Sequence, residues 1–424
     1  MKEEAQSLKA LKEWIRKLGP GLITGAADDD PSGIATYSQA GAQFGLNMLW
    51  TVLFTYPLMV GIQIVSARIG RVSRRGLAAN IRRHYPRSLL HFIVGLLLVA
   101  NTINIAADIS AMGDAMVLML GGSGQLYALL FGLVSLLLQV FIPYHVYVFF
   151  LKWLTLSLLA YFATAMVIQV PWVEVFKSTL LPEVTWRSEY LTTVVAVFGT
   201  TISPYLFFWQ ASQEVEEEKK DPSAHALRRH PDEAQAALQR IKVDTYVGMG
   251  FSNLVAFFIV LTTALTLHLH GAGEIQTSAQ AAIALRPLAG DFAFVLFSLG
   301  IIGTGLLAIP VLAGSAAYAV AEAFRWKSGL ELKPYMAKKF YGIIALSTLV
   351  GVALGFTEIN PLKALYWSAV LNGIISVPIM IVMMLMAVRK DIMGEFVIRR
   401  KLCVLGWGAV VVMVFAVGAM FWTL

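Results

Sequence analysis

The sequence predicts an all-α polytopic membrane protein with about eleven transmembrane helices, and three observations lead there. Hydrophobic residues make up 58% of the 424 positions and charged ones only 14%, at a mean hydropathy of +0.69, where soluble domains carry roughly 25% charge. Apolar runs of about 20 residues, the length that crosses about 30 Å of hydrocarbon, recur along the chain. Of 33 Lys and Arg, 27 fall in the amino-terminal arm and in every second connecting loop. That asymmetry predicts a cytoplasmic amino terminus and an outer carboxyl terminus in a plasma or inner membrane. The net charge of +7 sits in short clusters rather than on one stripe, so no nucleic-acid partner is indicated. The lone Cys403 excludes an intramolecular disulfide, a CxxC pair and a Cys-based zinc site.

Residues 1–16 read as a charged arm without the apolar core of a cleaved signal peptide. The first span, near 17–44, contains AADDDPSG, three carboxylates where lipid-facing residues belong. Each Asp at the centre of a membrane helix costs roughly 2.5 to 3.5 kcal/mol, so Asp28, Asp29 and Asp30 are tolerable only against a wet, protein-lined cavity. Pro31 and Gly33 weaken the helix there. The sequence therefore predicts a helix that stops near Asp30 and restarts near Ile34, with the acids at the break as a cation site. Successive helical residues point about 100° apart, so the three acids cannot all face one ion. Asp29 reaches a hydrated ion if the helix unwinds early, while Asp28 either lines a vestibule or pairs with another span.

The second span runs near 47–70 and leads into RVSRRGLAANIRRHYPR, a basic loop read as a topology determinant or a lipid-headgroup patch. On the third span, near 88–117, Asn101, Asn104 and Asp108 share helical spacing. They either line an aqueous path or hydrogen-bond between helices. Spans four (124–142) and five (147–170) are continuous apolar runs. The sixth, near 190–214, carries Gly199, Thr200, Thr201, Ser203 and Pro204 in mid-span. It is either a simple kink or a second break. Its inner end holds Glu214, Glu216, Glu217 and Glu218, read as a solvated helix end or as a cation attractor. Span seven lies near 243–268. Span eight (290–323) is rich in Gly, Ala and Ser, which suits close packing first and a moving gate second. Spans nine (338–357), ten (361–388) and eleven (402–422) follow.

Breaks in spans one and six are equivalent if five spans repeat with inverted topology. Residues 17–170 and 190–388 then form two inverted halves and 402–422 is appended. In that arrangement substrate binds at mid-membrane between two unwound helices. No connection is long enough to bury a soluble core. The seven histidines are scattered, and His268 with His270 read as interfacial rather than metal-binding.

The run GPG at Gly19–Gly21, the Asp30-Pro31 break, AGAQFG at Ala40–Gly45 with Leu49-Trp50, and MGEFV at Met393–Val397 resemble the Nramp (natural resistance-associated macrophage protein) family of divalent metal transporters. The resemblance runs from about residue 19 to 420. It implies the inverted-repeat fold shared with amino-acid transporters such as LeuT, and a divalent cation held between spans one and six as cargo, with no cofactor.

The site departs from that family's pattern. The family's DPGN reads DPSG here, keeping Asp30 while Gly33 replaces a metal-binding Asn. ATVMPH is represented by TTISPY, so Thr200 stands at the Ala whose carbonyl binds metal, Ser203 at the Met and Tyr205 at the His. Losing the thioether leaves an oxygen-donor set of Asp30, Asp29, Ser32, Gly33, Thr200, Ser203 and Tyr205, which suits magnesium or manganese. The smaller Gly and Ser leave room for retained waters. On the third span Asn101 and Ala111 take the places of flanking family glutamates, and the ninth span lacks a buried arginine. The expectation is transport with weak or absent proton coupling. Two other readings stay open. One is a same-fold carrier of a small organic solute, its carboxylate held by half-helix amino termini near Gly33 and Tyr205; the other is a transport-inactive sensor or scaffold. No HExxH or GxSxG suggests an enzyme, and nothing requires more than a monomer.

Overall fold

A computed structural model describes residues 20–142, 146, 154–220, 224–271, 273–357 and 359–424. The amino-terminal arm and residues 147–153 of the expected fifth span lie outside the described residues. All described elements are helices or turns. They are α1 (Pro20–Asp28), α2 (Pro31–Phe44), α3 (Leu49–Ser73), α4 (Leu77–His84), α5 (Arg87–Leu120), α6 (Gly124–Phe141), α7 (Leu159–Val167), α8 (Trp172–Leu180), α9 (Ser188–Thr201), α10 (Pro204–Lys220), α11 (Ala234–Thr266), α12 (Ala293–Phe324), α13 (Lys338–Leu354), α14 (Pro361–Ala387) and α15 (Arg400–Thr423), joined by short helical turns.

Among the described residues eight helical stretches are long and apolar enough to cross a membrane, or nine if the bent pair Leu156–Val167 and Trp172–Leu180 is one span. The expected eleven is higher for visible reasons. The Pro31–Ser73 stretch contains two of the expected spans, and α13 has only 17 residues.

The first span breaks where the sequence predicts, but its second half begins at Pro31 rather than near Ile34. Proline at the first helical position has no amide proton to leave unpaired and a φ already suited to the helix. Asp30, extended at φ −68° and ψ 171°, caps it by accepting the Gly33 N–H. Only Asp29 and Asp30 are non-helical. The sixth span repeats the device: α9 ends at Thr201, Ile202 and Ser203 are non-helical, and Pro204 opens α10. Pro204 is thus a break and not a kink.

The long α11 braces both halves of the first broken helix, packing against α1 and α2. The approach is so close at Gly25 that a Cβ there would collide with the Gly248 backbone. Across the bundle α9 meets α14 at Gly199 and Gly373, again backbone to backbone. Helix α5 is the central post, touching α6, α12, α13 and α14. On the periphery α6 and α15 present Leu133, Leu137, Val411 and Phe415 outward, as lipid-facing helices do.

The four basic loops meet at one end. Arg71 binds the His225 carbonyl, Arg82 the Glu322 carbonyl, Arg228 the Asp391 carbonyl and Arg389 the His84 carbonyl. Lys220 pairs with Glu331 at 2.8 Å. Helix α1 runs from this basic end to the break, and α2 runs on to the other end. There Gln39 and Gln43 line a cleft of about 340 Å³ with Ser188, Thr192, Glu274 and Tyr366.

Candidate functional site at the paired helix breaks

The two breaks touch. A Cβ at Gly33 would lie 3.2 Å from the Thr200 hydroxyl and 3.3 Å from the Asp28 carbonyl. The space expected from replacing a larger residue at position 33 is therefore partly taken by Thr200 reaching across from α9. Tyr37, fully buried on α2, borders it as well, its Cε2 lying 3.4 Å from that Cβ.

Asp30, 1% exposed, divides its two oxygens between halves of the fold. Oδ1 accepts the Gly33 N–H and the Ser32 hydroxyl, both at 2.7 Å, which fixes the carboxylate on α2. Oδ2 faces the other break, where the Tyr205 hydroxyl lies 3.3 Å away and is also 3.1 Å from the Ala27 carbonyl. One phenolic proton cannot fully serve both acceptors. The oxygens gathered between the breaks are thus Asp30 Oδ2, the Ala27 carbonyl at the end of α1, and the Tyr205 hydroxyl. The carboxyl-terminal ends of α1 and α9 also direct their partial negative charge toward this junction.

Ser203, expected to face the same point, turns back instead. Its hydroxyl lies 2.9 Å from the Gly199 carbonyl and 2.7 Å from the Thr200 carbonyl, so it satisfies carbonyls freed by the break. Thr201 donates to Val197 at 2.6 Å. Its one proton being used, it accepts from Tyr37 at 3.2 Å, a further link between the two broken helices.

Asp28 and Asp29 point elsewhere. Both reach Ser252 on α11, Asp28 Oδ2 at 2.7 Å and Asp29 Oδ1 at 3.0 Å. A serine hydroxyl has one proton, so it cannot donate to both. Asp28 Oδ1 and Asp29 Oδ2 have no hydrogen-bond partner among the described residues. Asp29 therefore sits with Asp28 rather than with Asp30, and Asp28 pairs with the seventh span. Among the described residues no Lys, Arg or His pairs with any of the three acids.

The third-span residues separate. Asn101 donates to the Leu312 carbonyl at 2.8 Å and to Ser315 at 2.7 Å, holding α5 against α12. Asn104 and Asp108, both fully buried, have no hydrogen-bond partner among the described residues on either side-chain atom. Asp108 lies within the electrostatic reach of Asp30. Its helix approaches the break at Met112, which meets Gly305 beside Pro31.

The glutamates at the end of α10 are not a solvated helix end: Glu214, Glu216 and Glu218 are buried and only Glu217 is exposed. Glu214 pairs with Arg240 and takes a 3.3 Å bond from Gln210, whose carbonyl accepts from Thr24 at 2.5 Å. The Gly21 N–H binds Asp244 at 2.7 Å. Tyr318 donates to Glu216 at 2.5 Å, and Glu218 pairs with Arg71 at 3.1 Å and Arg74 at 2.9 Å. This polar layer closes the basic end beneath the breaks. The arginines that pair with these acids come from other helices, Arg240 from α11 and Arg71 and Arg74 from the end of α3, which no local pattern reveals. Ser252, Gln210 and Gln63, which donates to the Leu206 carbonyl at 3.0 Å, carry no motif either; their one signal in the sequence is a polar residue inside an apolar run. His268 is structural, donating from Nδ1 to the Ala42 carbonyl at 2.9 Å.

The natural resistance-associated macrophage protein-like family matches residues 21–423. The chain is 26% identical over 429 residues to the divalent metal cation transporter MntH of Deinococcus radiodurans, covering 98% of this chain and 92% of that protein. Its fold is similar to that of the Eremococcus coleocola manganese transporter, with a TM-score of 0.69 at 16% identity, over 95% of this chain and 86% of that one. It is also similar, with a TM-score of 0.54 at 13% identity over 96% and 92% of the two chains, to Mhp1, a nucleobase-cation-symport-1 family transporter. The paired breaks, the buried aspartates and the near full-length match lead to one conclusion: the chain is an integral membrane protein belonging to the Nramp family, whose members are transporters and not enzymes.

Proposed function

We propose that this protein carries a hard divalent cation, magnesium or manganese, across the membrane by alternating access around Asp30. Divalent metal cation transport is the activity the family supports. The observation that carries the finer reading is the donor set: a carboxylate oxygen, a helix-terminal carbonyl and a phenol meet at the breaks, with Ser32 and Thr200 beside them. Position 203, where a thioether would favour softer metals, holds a hydroxyl turned onto its own helix. Oxygen-only sites suit magnesium, calcium and manganese.

Three acids within three residues, without a cationic side chain among the described partners, favour a positively charged occupant over an organic anion. The two broken helices fit two inverted halves, 17–170 and 190–388, that move relative to one another. The polar layer of Glu214, Arg240, Glu216 and Tyr318 acts as the closed gate at the basic end, taken as cytoplasmic from the positive-inside rule. The cleft beside Gln39 serves as the outer vestibule. Asp108 and Asn104 form the inner wall of an aqueous path, and Asn101 is a packing residue. With Asp108 the one fully buried acid on the third span, Asp114 being half-buried, proton coupling is weak or absent. The membrane potential then drives uptake, roughly 4.6 kcal/mol for a divalent ion at 100 mV, twice the value per charge.

Isothermal titration of the purified protein with Mg2+, Mn2+, Ca2+ and Cd2+, repeated on Asp30→Ala, tests the site. Loss of Mg2+ and Mn2+ binding in the variant is expected; undiminished binding would overturn the assignment. Uphill uptake into proteoliposomes driven by a pH gradient alone would refute weak coupling.

A further inference from the structure

The connection between α10 and α11 brings together three side chains that the transport site does not use. His225, His230 and Glu233 present one ligand atom each, all within 4.8 Å of one another. The sequence spacing is unremarked by any standard metal motif, yet the loop folds tightly on itself. His225 Nδ1 lies 2.6 Å from Glu233 Oε1, and the His225 N–H donates to Glu233 Oε2 at 3.2 Å. The Glu233 N–H donates to the His230 carbonyl at 3.3 Å, and the His230 N–H to the Ala226 carbonyl at 3.0 Å. The two imidazole rings lie with centroids 4.4 Å apart, tilted by 34° to one another.

Backbone bonds thus hold the ligands before any ion arrives. Two nitrogens and an oxygen at about 2.0 to 2.2 Å from a tetrahedral ion would stand roughly 3.3 Å apart. His225 and Glu233 need to part by less than 1 Å from their 2.6 Å contact, and His230, within 4.8 Å of both, needs to close by at most about 1.5 Å. Both histidines are exposed and Glu233 half-buried, so the remaining coordination positions open to water. Neutral imidazole favours zinc, cobalt, nickel, copper and iron, whereas magnesium prefers oxygen.

We propose that His225, His230 and Glu233 form a second metal site, selective for first-row transition ions, on the surface of the basic end. The site is chemically opposite to the oxygen-only set at the breaks. It is also mechanically connected to the closed gate: the His225 carbonyl accepts two bonds from Arg71, each 3.2 Å, and Arg71 pairs with buried Glu218. An ion that stiffens this loop stabilises the Arg71–Glu218 contact, so transition metal at this face favours the closed basic end.

The test uses the full chain, without a polyhistidine tag, in the Asp30→Ala background, which keeps the result independent of the transport site. One equivalent of Zn2+ is expected by titration calorimetry, undiminished by millimolar Mg2+, and Co2+ is expected to give visible absorption bands of nitrogen–oxygen ligation. His230→Ala should weaken Zn2+ binding at least tenfold, and His225→Ala with His230→Ala should abolish it. The thermal midpoint should rise with Zn2+ in Asp30→Ala and not when both histidines are also replaced. Absence of Zn2+ binding to Asp30→Ala, or equal binding after loss of both histidines, would overturn the proposal.

Discussion

Replacing Gly33 by Asn tests the contact between the two breaks directly. A Cβ at this position would stand 3.2 Å from Thr200 Oγ1, 3.3 Å from the Asp28 carbonyl and 3.4 Å from Tyr37 Cε2, the first two tighter than ordinary van der Waals contact. Two opposing effects follow. Asn is a better helix residue than Gly by about 0.3 kcal/mol, and Gly33 lies in the first turn of α2. Overpacking a buried site costs about 1 to 3 kcal/mol, so the clash wins and Gly33→Asn destabilises. Thr200→Ala removes the nearest obstacle. The double variant is therefore expected to recover part of the loss, with a coupling of about 1 kcal/mol, within the range for residues in contact. Thermal unfolding of the four proteins in detergent, in metal-free buffer, completes the cycle. Additive effects, or a Gly33→Asn variant as stable as the parent, would refute the argument that Thr200 occupies the space at Gly33.

Other expectations rest on single contacts. Ser252→Ala removes the hydroxyl that Asp28 and Asp29 share, and should cost about 1 to 3 kcal/mol of stability, the penalty for leaving a buried polar group unsatisfied; an unchanged thermal midpoint would contradict this. Arg240→Ala leaves Glu214 buried and uncompensated, an effect of about 3 to 5 kcal/mol, and pairing it with Glu214→Gln should restore much of the midpoint. Gly25→Val should fail to give a folded monodisperse protein because its side chain meets the Gly248 backbone, while Gly95→Ala, with nothing within 4 Å of its Cβ, should elute and melt like the parent. Size-exclusion chromatography of the two variants checks the contrast.

Sequence alone determined what depends on composition and neighbouring residues. Apolar runs and basic loops specified an all-helical membrane protein. Asp30-Pro31 specified one break and Ser203-Pro204 a kink or a second break, because a proline that cannot continue a helix readily starts one, and at the first break the preceding Asp30 also caps it. Even the restart at Pro31 instead of Ile34 follows from that local rule once it is applied strictly. Partners were another matter. Ser252 serves Asp28 from 224 residues away, and Arg71 meets Glu218 across the basic end. Thr200 fills the space beside Gly33. Which acid faces the junction and which faces α11 depends on the rotation of each helix about its axis, and backbone-to-backbone contacts at Gly25 and Gly199 decide that rotation. Periodicity names the polar face of a helix, but only packing decides which helix that face meets. For that reason the acidic stretch was legible as a break, while its division into Asp30 between the two breaks and Asp28 with Asp29 on Ser252 was decided by the tertiary structure.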